Sequence, residues 1–420
     1  MADMAHEPQV IADPARIGVI DLARGFAVLG ILVINVTTMA GPGIAATTPN
    51  WHGHAAPGDW VTFLLTWLFF EGKMRALFAT LFGVSLALFL DRGDEHRRAF
   101  EQVRRMLWLA VFGYFHFLLF WWGDILFSYA IAGMIALLFR DLAPMRLIGL
   151  GMAIFVVVSF FAATEVWGMI EASHAVVAGT AGPEQARWVA DFGLAVRAGV
   201  EARMAEYAMP FARAIAWRLN EHPGFPLTMA AQAVFEALPL MLCGMGLARS
   251  GFFTGGWSRR ALWRIAGTGM IVGLGWYGAM FAYEASQGFA LVPVSWLAFR
   301  FGMIGRFAMV AGYLALIVLA APAILRGAIG QRVAAAGRMA FSNYLGSTVV
   351  MTFLLHGWGL NLAAREYGHA TLMLFVLGGW VAILFWSQSW LARFGIGPLE
   401  YAWRQLAGMG IRTAKPQAKG

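Results

Sequence analysis

The chain has 420 residues, 60% of them hydrophobic and only 13% charged, with a mean hydropathy of +0.66. A soluble domain carries about 25% charged residues, so a soluble globular protein is excluded. The net charge of +8 does not point to nucleic acid, because the basic residues gather between apolar runs and form no stripe on a polar domain. The single cysteine, Cys243, excludes an intrachain disulfide framework and a thiolate metal cluster.

Length therefore converts into membrane spans, each needing about 20 apolar residues. The first 16 residues (MADMAHEPQVIADPAR) lack an apolar core, so 1–17 reads as a cytoplasmic tail and not as a cleavable signal. Spans are expected at 18–39, 75–91, 106–122, 125–139, 146–165, 227–248, 262–283, 306–325, 338–357 and 371–391. The segment 59–72 (DWVTFLLTWLFFEG) is too short to cross and reads as an interfacial or re-entrant helix. The run 285–305, interrupted by Pro293 and Arg300, is similar, and counting both gives twelve. The domain plan is an N-terminal bundle at 18–165, an extracytoplasmic helical loop at 166–226, a C-terminal bundle at 227–392 and a basic cytoplasmic tail at 393–420. The fold expected is all-α, a polytopic membrane bundle of ten to twelve helices. Loop 92–105 holds five arginines, whereas 40–58, 123–124 and 284–295 hold no Lys or Arg. The positive-inside rule then places both termini in the cytoplasm.

Polar residues at membrane depth are costly, about 2.5–3.5 kcal/mol for a central charge on insertion scales, so they mark candidate sites. Asp21, Arg24 and Gly25 sit at the inner end of the first span. Asn35 follows Arg24 by about three turns on the same face, roughly 16 Å further along. Glu71, Lys73 and Arg75 stand at the mouth of the second span, either pairing with one another or lining a polar cavity. His116 is alone among aromatic and aliphatic neighbours, and Asp124 follows eight residues later. The two can share a cleft, and an acid orienting an imidazole makes a general base. His52 and His54 lie on the first outer loop, where a solvated pair is the simpler reading than a metal site, and no metal is expected. Arg338, Asn343 and Tyr344 enter the ninth span, where the Asn-Tyr pair also fits helix–helix glue. P-loop, GxGxxG, GxSxG and HExxH patterns are absent.

Five blocks, RIGVIDLARGFAVLGILVIN, GKMRALFATLFG, FHFLLFWWGDILFSYAIAG, GRMAFSNYL and GPLEYAWRQL, resemble the YeiB-like family of bacterial inner-membrane proteins in the same order over nearly the whole chain. The C-terminal half of that family is a domain of unknown function. Loop 166–226 carries no recognisable block. The resemblance extends distantly to the transmembrane acyltransferases, among them heparan-α-glucosaminide N-acetyltransferase and bacterial O-acyltransferases, through the opening D-x-x-R-G matched by Asp21, Arg24 and Gly25. The O-acyltransferases place a catalytic His at the position of Asn35. The heparan enzyme has an Asn there and its His in the following luminal loop, where this chain has His52 and His54.

What the resemblance implies is transfer of an acyl (acetyl) group from cytoplasmic acyl-CoA to a hydroxyl or amine on a small-molecule, sugar or lipid acceptor. Such chemistry needs a base, drawn here from His52, His54, or His116 with Asp124, and a donor for the thioester carbonyl, for which Asn35 is placed. Donor-binding residues would be Asp21, Arg24, Arg338, Asn343 and Tyr344, with Arg98, Arg104 and Arg105 adding phosphate contacts; Glu71, Lys73 and Arg75 would line the acceptor cavity. The competing class is a transporter, with which Glu71, Glu236, Arg300 and Arg306 are compatible. A non-catalytic membrane protein and a homodimer also stay open.

Overall fold

The computed structural model describes residues 14–49, 51, 53, 55–91, 95–290, 297 and 301–408. No strand occurs among them, and the chain is an all-α polytopic membrane bundle. Its first half holds α1 (Pro14–Ala40), α2 (Pro57–Phe69), α3 (Lys73–Leu90), α4 (Glu95–Leu119), α5 (Leu126–Ala136) and α6 (Pro144–Val177). Two amphipathic helices follow, α7 (Pro183–Tyr207) and α8 (Phe211–Glu221). The second half comprises α9 (Phe225–Arg249), α10 (Arg259–Ser286), α11 (Met303–Ile324), α12 (Ala328–Arg338), α13 (Ala340–Leu355), α14 (His369–Phe394) and α15 (Pro398–Leu406).

Seven stretches among the described residues are long and apolar enough to cross a bilayer: α1 from Gly18, the α2–α3 pair, α6, α9, α10, α11 and α14. Helices α5 (with the 3-10 turn after it) and α13 are shorter apolar helices. In α4 the charges fall in the first three turns and the apolar residues in the rest. With these three, each of the ten expected spans has its helix.

Burial separates the bundle's axis from its rim. In an 18-residue stretch of α1, 72% of residues are buried, against 22% in α6 and α14. Helix α1 packs on α3, α12, α13 and α14, while α9 packs on α3, α5 and α6. The exposed stripe Leu374, Leu377, Val381 and Phe385 runs down one face of α14 at helical spacing, as a lipid-facing surface requires. Between α3 and α9 the backbones nearly touch: a Cβ on Gly83 would lie 2.0 Å from the Met241 carbonyl, and one on Gly244 would lie 2.0 Å from that of Thr80. Small residues at such crossings let membrane helices gain dispersion contacts over their full length.

One expectation narrows, one helix runs longer than expected, and one run is only partly described. Of the two readings of 59–72, interfacial or re-entrant, burial disfavours the first: Phe63 and Trp67 of α2 are fully buried and α2 packs on α10 and α14. Helix α6 has 34 residues, about 50 Å, and so runs on past the expected end of the fifth span at 165, beyond any hydrocarbon core. Of the run 285–305, residues 291–296 and 298–300, Arg300 included, lie outside the described residues.

Candidate functional site

The sharp turn between α4 and α5 carries the first candidate. His116 Nδ1 and Asp124 Oδ1 are 3.0 Å apart. The other Asp124 oxygen accepts the Phe127 N–H at 2.8 Å, so the carboxylate also caps the first turn of α5. Tyr344 of α13 completes the group. Its hydroxyl donates to the Gly123 carbonyl (3.0 Å) and accepts from the Ile125 N–H (3.3 Å), and its ring lies 5.2 Å from the imidazole. His116 is 1% exposed, and its Nε2 has no hydrogen-bond partner among the described residues. With Nδ1–H donated to the carboxylate, Nε2 presents its lone pair. Tyr344 thus belongs with His116 and Asp124, not with the inner arginines, because α13 rises past the α4–α5 turn one helical turn after its start.

The second candidate forms where α2 breaks into α3. Gly72 takes φ +68°, and a Cβ there would strike the Arg306 guanidinium. Arg306 bonds Glu236 (2.9 Å) and the Tyr277 hydroxyl (3.1 Å), with Glu71 at 4.0 Å. Arg75 reaches the other oxygen of Glu236 at 3.1 Å. Lys73, fully buried, donates to the Trp67 carbonyl and lies 2.8 Å from the centre of the Tyr277 ring. Arg75 and Arg306 therefore share Glu236 across α3, α9 and α11, and Lys73 joins them through the Tyr277 ring. Glu71 and Arg75 are tied through Arg306 and Glu236, which from the sequence are isolated charges, and Glu71 and Lys73 both meet Tyr277.

At the inner end of α1, Arg24 bonds Asp21 (3.0 Å) and Ser85 (2.6 Å). Arg338 donates to the Gly395 carbonyl, and Arg105 lies between the Phe89 and Trp403 rings, 4.5 Å from each centre. Asn343 is committed to packing: its amide donates to the Ala336 carbonyl and Ser387, and its oxygen accepts from Trp386. That is the helix–helix glue reading. Asn35 is half-buried, and its side chain makes no hydrogen bond among the described residues. His52 and His54 lie outside the described residues.

Glu400, in the block GPLEY, works at a distance. It accepts the backbone N–H groups of Phe341 (2.9 Å) and Ser342 (3.1 Å) and the Ser342 hydroxyl, capping α13 from α15. Burial holds this carboxyl above its ordinary range despite these donors.

A further cluster has no motif to announce it. Arg218 of α8 is buried against Glu206 of α7 (Nε to Oε1 2.7 Å) and donates to the carbonyls of Phe117 (3.3 Å), Leu118 (2.9 Å) and Phe120 (3.2 Å). Those are the orphan acceptors at the C-terminus of α4, where the helix dipole favours a cation. Glu206 also accepts from Trp122, whose ring carries Arg203 stacked at 3.2 Å. Burial lowers the Arg203 pKa to about 10, still well above neutrality, so the stacked group stays charged. Tyr207 donates to the Thr38 carbonyl (2.9 Å) and stacks on His356 at 4.1 Å. The α7–α8 segment is thus locked over the turn that bears Asp124.

Comparison with known proteins places the chain. It belongs to the same family as the bacterial protein YeiB, and a family model described as "Protein of unknown function (DUF418)" matches residues 247–410. The chain is 30% identical over 411 residues to the uncharacterized protein YeiB of Escherichia coli (strain K12), covering 94% of this chain and 97% of that one. It is 26% identical over 403 residues to the uncharacterized protein YxaH of Bacillus subtilis (strain 168), covering 93% of each. No solved structure matches.

Proposed function

We propose that the chain is an acyltransferase of the bacterial inner membrane that moves an acyl (acetyl) group from cytoplasmic acyl-CoA to a hydroxyl or amine acceptor. The observation that carries this reading is the His116–Asp124 pair at 3.0 Å with a buried, unpartnered Nε2. A histidine locked in one tautomer by a capping carboxylate, with its free nitrogen in a dry setting, suits proton abstraction from an acceptor.

In the reaction His116 Nε2 takes the acceptor proton as the acceptor oxygen or nitrogen bonds to the thioester carbon. The tetrahedral intermediate then collapses, the C–S bond breaks, and the leaving thiolate recovers that proton from the imidazolium. Asp124 stabilises the imidazolium in between. Asn35, with a side chain not otherwise engaged, is the candidate donor to the oxyanion. The inner arginines Arg24, Arg98, Arg104, Arg105 and Arg338 supply guanidinium groups for the phosphates of coenzyme A.

The test is direct. Purified chain in nanodiscs, given radiolabelled acetyl-CoA and a bacterial membrane extract, should release free thiol and label an acceptor; absence of both with every acyl-CoA tried would end the proposal. A transport reading draws on a different observation, the charge network of Arg306, Glu236, Arg75 and Glu71. It predicts solute accumulation in proteoliposomes that is insensitive to His116→Ala.

A further inference from the structure

One buried carboxyl takes no part in either candidate site. Glu284 is 0% exposed and lies in the last turn of α10, on the face that also buries Tyr277 and Met280. Neither of its oxygens has a hydrogen-bond partner among the described residues. A carboxyl in that position loses its hydration with nothing in return, which proteins tolerate mainly where a ligand or a proton is to be held.

The surroundings select the ligand. The chain turns sharply after α10, and Phe289 takes φ +55°, a conformation that aromatic residues rarely adopt. Its N–H closes onto the Glu284 carbonyl at 2.8 Å. The turn sends the Phe289 ring back against Phe63 (5.9 Å), Phe281 (5.9 Å) and Trp60 (5.6 Å). Phe63 and Phe281 are themselves 6.2 Å apart, so the four rings form one cluster, with Phe281 about one helical turn before Glu284 on α10 and Phe289 in the turn that follows it. Trp60 is 38% exposed and forms the open edge. On the orientation set by the basic loops, that edge faces the outer side.

Aromatic rings next to an unpaired carboxyl suit an organic cation, through cation–π attraction and a charge-assisted hydrogen bond. The protein already uses the adjoining rings in this way: the Lys73 ammonium lies 2.8 Å from the centre of Tyr277 and 5.9 Å from that of Trp67. Glu71 is the charged neighbour that acts on both Glu284 and Lys73. We propose that Glu284, with Trp60, Phe63, Phe281 and Phe289, binds the ammonium group of a small organic amine arriving from the outer face. The amine belongs either to a free molecule or to the headgroup of an aminophospholipid.

The experiment uses the full chain in phosphatidylglycerol nanodiscs and requires no turnover, so it stands whether or not acyl transfer is found. Ethanolamine is titrated and the thermal midpoint followed; in parallel, native mass spectrometry scores phosphatidylethanolamine retained from mixed-lipid discs. A saturable ethanolamine shift that Glu284→Gln weakens at least tenfold supports the site and a free amine. Retention of phosphatidylethanolamine that Glu284→Gln abolishes, without an ethanolamine shift, supports the site and a lipid source. Trp60→Leu, at the exposed edge, should weaken the same signal about threefold and serves if the carboxyl variant does not fold. No amine-dependent signal in either arm, or equal binding by Glu284→Gln, overturns the proposal.

Discussion

Removing Arg218 should unlock the α7–α8 segment, and the contacts fix how much. The guanidinium is 2% exposed and its partner carboxylate 0%. Besides Glu206 it serves three α4 carbonyls at 2.9–3.3 Å. Arg218→Met leaves a buried Glu206 with only Trp122 and the more distant Arg203 (3.6 Å). Breaking one side of a buried pair costs about 3–5 kcal/mol. Glu206→Gln should cost less, because the guanidinium keeps its three carbonyls. The double variant Glu206→Met/Arg218→Met should recover part of the loss, since no charge is left stranded. Hydrogen exchange of residues 200–220 reads the effect as local opening. At 1.4 kcal/mol per tenfold, a loss of about 3 kcal/mol speeds exchange roughly a hundredfold. Strictly additive single losses, or exchange in Arg218→Met within a factor of three of the parent, would refute the latch.

Other consequences are open to simpler measurements. Glu400→Ala uncaps α13 and should lower stability by about 1–3 kcal/mol; denaturant titration of the detergent-solubilised protein checks this, and an unchanged midpoint speaks against capping in trans. Gly244→Ala drives a methyl group into the Thr80 carbonyl of α3 and should destabilise by at least about 1–3 kcal/mol, read as a lower thermal midpoint, while Gly275→Ala, which meets nothing within 4 Å, should be neutral. Lys73→Met removes a buried cation that has one carbonyl and ring faces for partners, so its stability should match or exceed the parent. A loss above about 2 kcal/mol would mean that the ammonium is better compensated than the geometry indicates.

Legibility from sequence followed distance along the chain. The spans were readable because hydropathy is local, and His116 with Asp124 because eight residues and one turn separate them. Tyr344 was not placed with them, since its contacts reach 219 and 221 residues back to the α4–α5 turn. Arg306 and Glu236 are 70 residues apart and meet only in the fold, where Gly72 lets the α2–α3 break approach the same guanidinium. Arg218 sits in a segment patterned like an ordinary amphipathic helix, and its targets are backbone carbonyls about a hundred residues earlier, which no side-chain motif encodes. The unpaired state of Glu284 is likewise invisible until neighbours are known; an acid near the end of an apolar run was the one available signal.

The central claim is that His116, oriented by Asp124, is the base in acyl transfer, and thiol release from acetyl-CoA by the reconstituted chain tests it most directly. The parent protein should release free coenzyme A in the presence of acceptor. His116→Ala should lower the rate by about 10²–10⁴ at unchanged donor affinity, and Asp124→Asn should lower it while shifting the pH profile. Release by His116→Ala at the parental rate, with the variant folded and donor bound, would contradict the account.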